Sequence, residues 1–171
     1  MGPLAGVRII DLSAVVSGPM AAVMLADQGA EVIKIEPPGW GDGVRGLGAS
    51  RNGVSAIFTL INRNKKSVGL NLKHPQGRQL AEELIGTADV VLQNYRPGKM
   101  KRLGLDYETL KPRFPELIYL SISGMGDVGP YAGQKVYDYV IQGMSGLLEA
   151  QGVQDPYAMV RTIIFDKVTA L

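Results

Sequence analysis

The chain has 171 residues, enough for one domain with its own core, and its 46% hydrophobic and 20% charged residues exclude a disordered or fibrous polypeptide. A formal net charge of +2, with the lysines and arginines dispersed, argues against nucleic acid as a partner, and the absence of cysteine excludes disulfides, thiolate nucleophiles and thiolate metal sites. No apolar run approaches the roughly 20 residues that span a bilayer, so the sequence reads as soluble, without a membrane partner, and suited to a reducing cytoplasm.

Residues 7–12 predict a short buried strand rather than an export signal, because Arg8 and Asp11 interrupt the apolar stretch. Ser17-Gly18-Pro19 then opens a helix, since proline is tolerated in a first turn, and this helix stops near Gly29. Residues 31–36 supply a second strand. A glycine-rich loop follows from residue 37 to about residue 53 and holds the only tryptophan, Trp40. Its Gly39, Gly41 and Gly43 could bring backbone N–H groups to a phosphate, but a dinucleotide fingerprint belongs in the first strand-to-helix turn, where residues 13–18 hold one glycine.

Residues 55–62 predict a helix, 67–72 a strand, and 75–85 a helix with Leu80, Ala81, Leu84 and Ile85 at helical spacing. His74, the single histidine, lies beside Pro75 as a flank or cap, and a histidine metal site is excluded by count. A strand over 90–92, short helices over 99–103 and 107–110, a strand over 117–122 and a turn at 124–126 continue the alternation. Residues 137–148 predict one helix whose apolar face is Val140, Ile141, Met144, Leu147 and Leu148, with Gly143 and Gly146 weakening it by about 1 kcal/mol each. Residues 166–171 read as the first turns of a helix with no stop signal, so the natural protein is expected to continue. This alternation predicts an α/β domain over residues 1–171: a Rossmann-like, mainly parallel sheet with helices on both faces.

Two groups of residues carry candidate chemistry. Lys65, Lys66, Lys73, Arg96, Lys99, Lys101, Arg102 and Lys135 stand near predicted strand ends, where open α/β sheets bind ligands, and would suit a polyanion if they converged. Asp166 follows the apolar run Ile163-Ile164-Phe165. By residue type it reads as a helix N-cap, although a partly buried carboxylate can also serve as a covalent nucleophile.

Several segments together resemble the class III coenzyme A transferases in order and spacing: residues 7–19 with Gly18-Pro19, residues 29–38, Asn64-Lys65-Lys66-Ser67 through Leu70-Asn71-Leu72-Lys73, residues 93–98, Tyr137-Asp138 with Gln142 and Ser145-Gly146, and Asp166. The resemblance implies that Asp166 is the nucleophile, forming an aspartyl mixed anhydride with the acyl group and then an aspartyl-CoA thioester. It implies CoA contacts at Val15, Val16, Leu70, Lys73, Asn94, Tyr95, Arg102, Leu103 and Lys135, with acyl-CoA and a carboxylic acid as substrates and no permanently bound cofactor. Ala14, Val16 and Pro37 depart from residues that some family members carry at those places. It further implies an interlocked homodimer and a covering glycine loop beyond Leu171. A 2-methylacyl-CoA racemase of the same fold is the alternative, disfavoured because Tyr137, ordinarily with a pKa of about 10, stands where those racemases have histidine. A non-catalytic nucleotide-binding module is the other.

Overall fold

The structure, a computed structural model, describes residues 2–152 and 158–171. In chain order its elements begin with β1 (Arg8–Asp11), α1 (Ser17–Asp27) and β2 (Glu31–Glu36), followed by a 3-10 turn over Gly43–Gly46 and a small hairpin, β3 (Ser50–Arg51) with β4 (Val54–Ser55). Then come α2 (Ala56–Asn62), β5 (Lys65–Gly69), α3 (Pro75–Ile85), β6 (Val90–Gln93), α4 (Lys99–Leu103), α5 (Tyr107–Leu110) and β7 (Ile118–Ser121). The chain closes with α6 (Asp138–Met144), α7 (Leu147–Ala150) and α8 (Ile164–Ala170).

Five strands form one parallel sheet in the order β5-β2-β1-β6-β7. Counted along the chain this is 3-2-1-4-5, the doubly wound order, and it reverses between β1 and β6. Period-two alternation explains the two layers. Ile9 and Val32 face α1 and pack on Ala22 and Ala26. Ile10, Leu12, Ile35 and Val91 face the other way, onto Ala81 and Ile85 of α3, Met100 of α4 and Leu110 of α5. Each of the buried valine, leucine, isoleucine and methionine side chains contributes on the order of 1.5–3 kcal/mol of transfer free energy. The start of α1 approaches the end of β1 so closely that a Cβ at Gly18 would lie 2.3 Å from Ser13 Cβ and 3.1 Å from Leu92. Only glycine permits that contact.

Three sequence expectations need correction. The strand expected over 67–72 begins at Lys65 and ends at Gly69, because the five residues paired with Val32–Glu36 are Lys65–Gly69; Leu70 and Leu72 instead turn into the core. The loop over 37–53 is not wholly irregular, since it includes the 3-10 turn and most of the hairpin. The helix expected over 137–148 is two helices, broken where Gly146 adopts φ +78. Among the described residues no helix is long and apolar enough to cross a membrane.

Candidate active site

At the switch between β1 and β6, outside the carboxyl ends of the strands, lies a cleft of about 640 Å³. Ala14, Val15 and Ser17 form one wall, residues 94–97 with Lys99 and Arg102 a second, and Tyr137, Asp138, Phe165 and Asp166 a third. This is where a doubly wound sheet leaves a crevice, because the helices after β1 and β6 depart to opposite faces.

The turn between β1 and α1 is strained and tightly held. Val15 has φ +69, a left-handed conformation that costs a β-branched residue about 1–3 kcal/mol. The surrounding side chains hold it there. Ser13 N–H donates to Asp11 Oδ1 at 2.9 Å, and Ser13 C=O accepts from Lys34 Nζ at 2.6 Å. Asn94 grips the main chain of the next residue at both of its polar groups, accepting from Ala14 N–H at 2.8 Å and donating to Ala14 C=O at 2.7 Å. Val15 N–H donates to Asp42 Oδ1 at 3.3 Å.

Behind this turn lies a buried ionic chain that sheet register explains: Asp11 of β1 stands opposite Lys34 of β2. Lys34 is 1% exposed and pairs with Asp42 at 3.1 Å, while Asp11 accepts from Lys65 at 2.8 Å. Lys65 also donates to Pro19 C=O at 2.8 Å and Asn62 Oδ1 at 3.0 Å, so each charge is both paired and hydrogen-bonded. Burial pushes the Lys65 ammonium down, against the opposing pull of Asp11. Glu36 extends the chain outward. Burial alone would raise its carboxyl, but the Arg45 guanidinium, the Ser67 hydroxyl and Asp42 N–H together hold it at about 2.

Asp166 is not the N-cap that residue type suggests. The cap position of α8 is Ile163, which offers no side-chain bond, and Asp166 lies in the first turn, half-buried. The cap is supplied from elsewhere: Asp138 Oδ1 accepts from Phe165 N–H at 2.6 Å and from Asp166 N–H at 3.1 Å. Gln142, fully buried, steadies that carboxylate by donating to Asp138 Oδ2 at 2.7 Å. The same amide donates to Thr162 C=O at 3.0 Å and accepts from Val160 N–H at 2.9 Å. Thus α6 ties down both the approach to α8 and its first turn. Burial pushes the Asp166 carboxyl up, the Asp138 carboxylate adds to the effect, and the Ser17 hydroxyl works against both.

Of the residues singled out from the sequence, Val15, Asn94, Tyr95, Arg102 and Asp166 share this cleft. Val16 does not; it is 5% exposed and packs with Val44 and Ile61. Leu70 and Leu103 pack against the core on the α3 side, and Lys135 is exposed outside the lining. Asn94 lines the wall, but its amide is engaged with Ala14. The cationic set divides. Lys65 is in the buried chain and Lys66 pairs with Glu31 at 2.5 Å, whereas Arg96, Lys99 and Arg102 line the cleft. Burial pushes the Lys99 ammonium down, and Lys73, Arg102 and Arg96 push it further; its Nζ sits 4.1 Å above the Tyr95 ring. His74 caps α3, with Nδ1 accepting from Gln76 N–H at 3.3 Å.

The supporting roles of Asp42, Ser17, Asp138 and Gln142 were missed by sequence reasoning. A signal did exist for the last two: Asp138 and Gln142 are spaced i, i+4 and share a helix face, while Val140 and Met144 of the expected apolar face are exposed.

The profile of CoA-transferase family III matches residues 4–171. The chain is 46% identical over 156 residues to the succinyl-CoA:glutarate CoA-transferase of Mus musculus, covering 91% of this chain and 36% of that protein. It is 46% identical over 154 residues to the acetyl-CoA:oxalate CoA-transferase of Acetobacter aceti, covering 90% and 40%. It therefore spans well under half the length of these relatives. A CAIB/BAIF family protein from Brucella suis superposes with a TM-score of 0.90 at 38% identity, covering 96% of this chain and 45% of that one. With its doubly wound sheet, its cleft at the switch point and a match along nearly all its length, this chain belongs to CoA-transferase family III.

Proposed function

We propose that residues 1–171 are the CoA-binding α/β part of an acyl-CoA:carboxylate CoA-transferase in which Asp166 is the covalent nucleophile. An Asp166 carboxylate oxygen attacks the thioester carbonyl, the C–S bond breaks, and CoA leaves as thiolate from an aspartyl mixed anhydride. The thiolate then attacks the aspartyl carbonyl, releasing the donor acid and leaving an aspartyl-CoA thioester. The acceptor carboxylate repeats the sequence in reverse, regenerating Asp166 and producing the new acyl-CoA. Arg96, Lys99 and Arg102 bind the phosphates, Val15 and Tyr95 line the path of the pantetheine, and Lys73 adds charge from outside the cleft.

The observation that carries this reading is a half-buried carboxylate with a raised pKa, anchored through its backbone by Asp138, in the same cleft as three cations. A raised pKa makes the anion more nucleophilic once formed. His74 caps α3 instead of lining the cleft, which leaves the racemase alternative without a histidine there. The reading carries with it a cytoplasmic homodimer. Exposed Ile118 and Leu120 on edge strand β7, and Tyr139, Val140 and Met144 on α6, are surface that further polypeptide would cover.

The test uses the natural full-length protein with succinyl-CoA and other acyl-CoA donors, and glutarate or oxalate among the acceptors, with hydroxylamine added during turnover. Release of CoA together with a hydroxamate on Asp166 is expected, and Asp166→Ala should abolish both. Undiminished CoA exchange by Asp166→Ala would exclude the nucleophile.

A further inference from the structure

Ser17 has no part in the steps above, yet it occupies the joint between the strained turn and α8. It opens α1, is 8% exposed and lines the cleft. A serine hydroxyl has one proton and two lone pairs. Asn94 Nδ2 approaches Ser17 Oγ at 3.5 Å as a donor, while the same amide grips both main-chain polar groups of Ala14. The hydroxyl proton is therefore turned away from Asn94, and α8, which packs against α1, brings Asp166 into the same cleft lining as Ser17.

The turn upstream fixes the place of this hydroxyl. Five consecutive main-chain polar groups, from Ser13 N–H to Val15 N–H, are bound by the side chains of Asp11, Lys34, Asn94 and Asp42. Such over-determination is what keeps a strained residue in place, and it leaves Ser17 little freedom to drift.

We propose that Ser17 is a positioning residue for Asp166: its hydroxyl, oriented by Asn94, donates to the carboxylate and holds the ionised group toward the cleft. The proposal rests on Asp166 being the nucleophile. The other ionisable groups near Asp166 do not substitute for this donor. Within α1 the single ionisable side chain is Asp27, paired with Arg63 at the far end, and α6 contributes Asp138 and the exposed Tyr139. On α8 itself Lys167 donates to Thr162 Oγ1 at 2.5 Å, and from the cleft walls come Tyr95, Arg96, Lys99, Arg102 and Tyr137.

The experiment compares the full-length protein with Ser17→Ala across a pH series, after hydroxylamine trapping has established whether Asp166 is acylated in the unsubstituted protein. Loss of a donor to the charged form moves the acid limb of kcat/KM to higher pH. Below that limb kcat should fall about tenfold, with KM for acyl-CoA changing less than about twofold. A purely structural serine would lower activity equally at every pH. Trapping at Asp166 combined with superimposable pH profiles overturns the role of Ser17 and leaves the nucleophile standing; absence of trapping removes both.

Discussion

Replacing Asp138 by alanine withdraws one carboxylate from three groups at once: the N–H groups of Phe165 and Asp166, and the Gln142 amide. Loss of the cap on α8 costs about 1 kcal/mol. The fully buried Gln142 amide keeps Thr162 C=O and Val160 C=O as acceptors, so losing its bond to Asp138 costs about 1 kcal/mol more. Relief of the repulsion that Asp138 exerts on Asp166 offsets only a small part, because Asp166 is half-buried and partly screened. We expect a net loss of about 2 kcal/mol in urea denaturation. Asp138→Asn keeps an oxygen for the two N–H groups but presents an NH2 toward Gln142, and should lose about half as much.

The kinetic consequence has two parts of different character. Freed from its anchor, the first turn of α8 no longer fixes Asp166, and a misplacement near 1 Å lowers kcat about a hundredfold. Without the neighbouring carboxylate, Asp166 ionises at lower pH, so the acid limb of the rate profile moves down, opposite to Ser17→Ala. Steady-state transfer across a pH series reads both. If Asp138→Ala retains the original rate, or its acid limb moves to higher pH, the clamp assigned to α6 is wrong.

Two further perturbations probe the support behind the cleft. The Glu36 carboxyl is held at about 2 against an ordinary 4.5, so its contribution is complete above pH 4.5 and is lost as pH falls toward 2. Glu36→Gln should therefore be less stable than the unsubstituted protein in urea at pH 7, with the two converging as the pH is lowered through that window; a gap that widens there would contradict the pairing with Arg45. Val15→Gly relieves the left-handed strain but gives the unfolded chain more freedom, so stability should stay within about 1 kcal/mol. Because Val15 is 43% exposed and lines the cleft, KM for acyl-CoA should rise nonetheless, and unchanged KM would remove Val15 from the binding surface.

The elements legible in the sequence were those whose signals are local. The α3 helix begins at Pro75 behind its His74 cap and ends at Ile85, as its spacing predicts, and β2 occupies residues 31–36 because its apolar positions are flanked by glycine and proline. The hairpin was legible too but overlooked: Asn52-Gly53, both at positive φ, is the pair that a two-residue connection requires. What could not be read locally is long-range. Lys34 looks like a surface charge in a strand, and only its register opposite Asp11 and its proximity to Asp42, eight residues on, make it a core residue. Asp138 and Gln142 likewise find their partners on residues 160–166, across a turn of chain that no periodicity connects. For the same reason the sequence grouped eight cations that the fold divides between a buried chain, the exposed surface and one rim of the cleft.

That division gives the cleft a direction. After burial, every group that shifts Lys99 is a cation, while the charged group that shifts Asp166 is the carboxylate of Asp138. The cleft lining thus holds two groups of like charge, the cations Arg96, Lys99 and Arg102 and the acids Asp138 and Asp166. On the proposed reading, an acyl-CoA with its phosphates at one terminus and its neutral thioester carbonyl at the other would bind this cleft in one orientation. Reversal would set its phosphates against two carboxylates, and like charges brought together in a partly desolvated site cost several kcal/mol. On the proposed reading, phosphate binding by Arg96, Lys99 and Arg102 would also bring the electrophile to Asp166, with the strained, side-chain-clamped Val15 lining the same cleft.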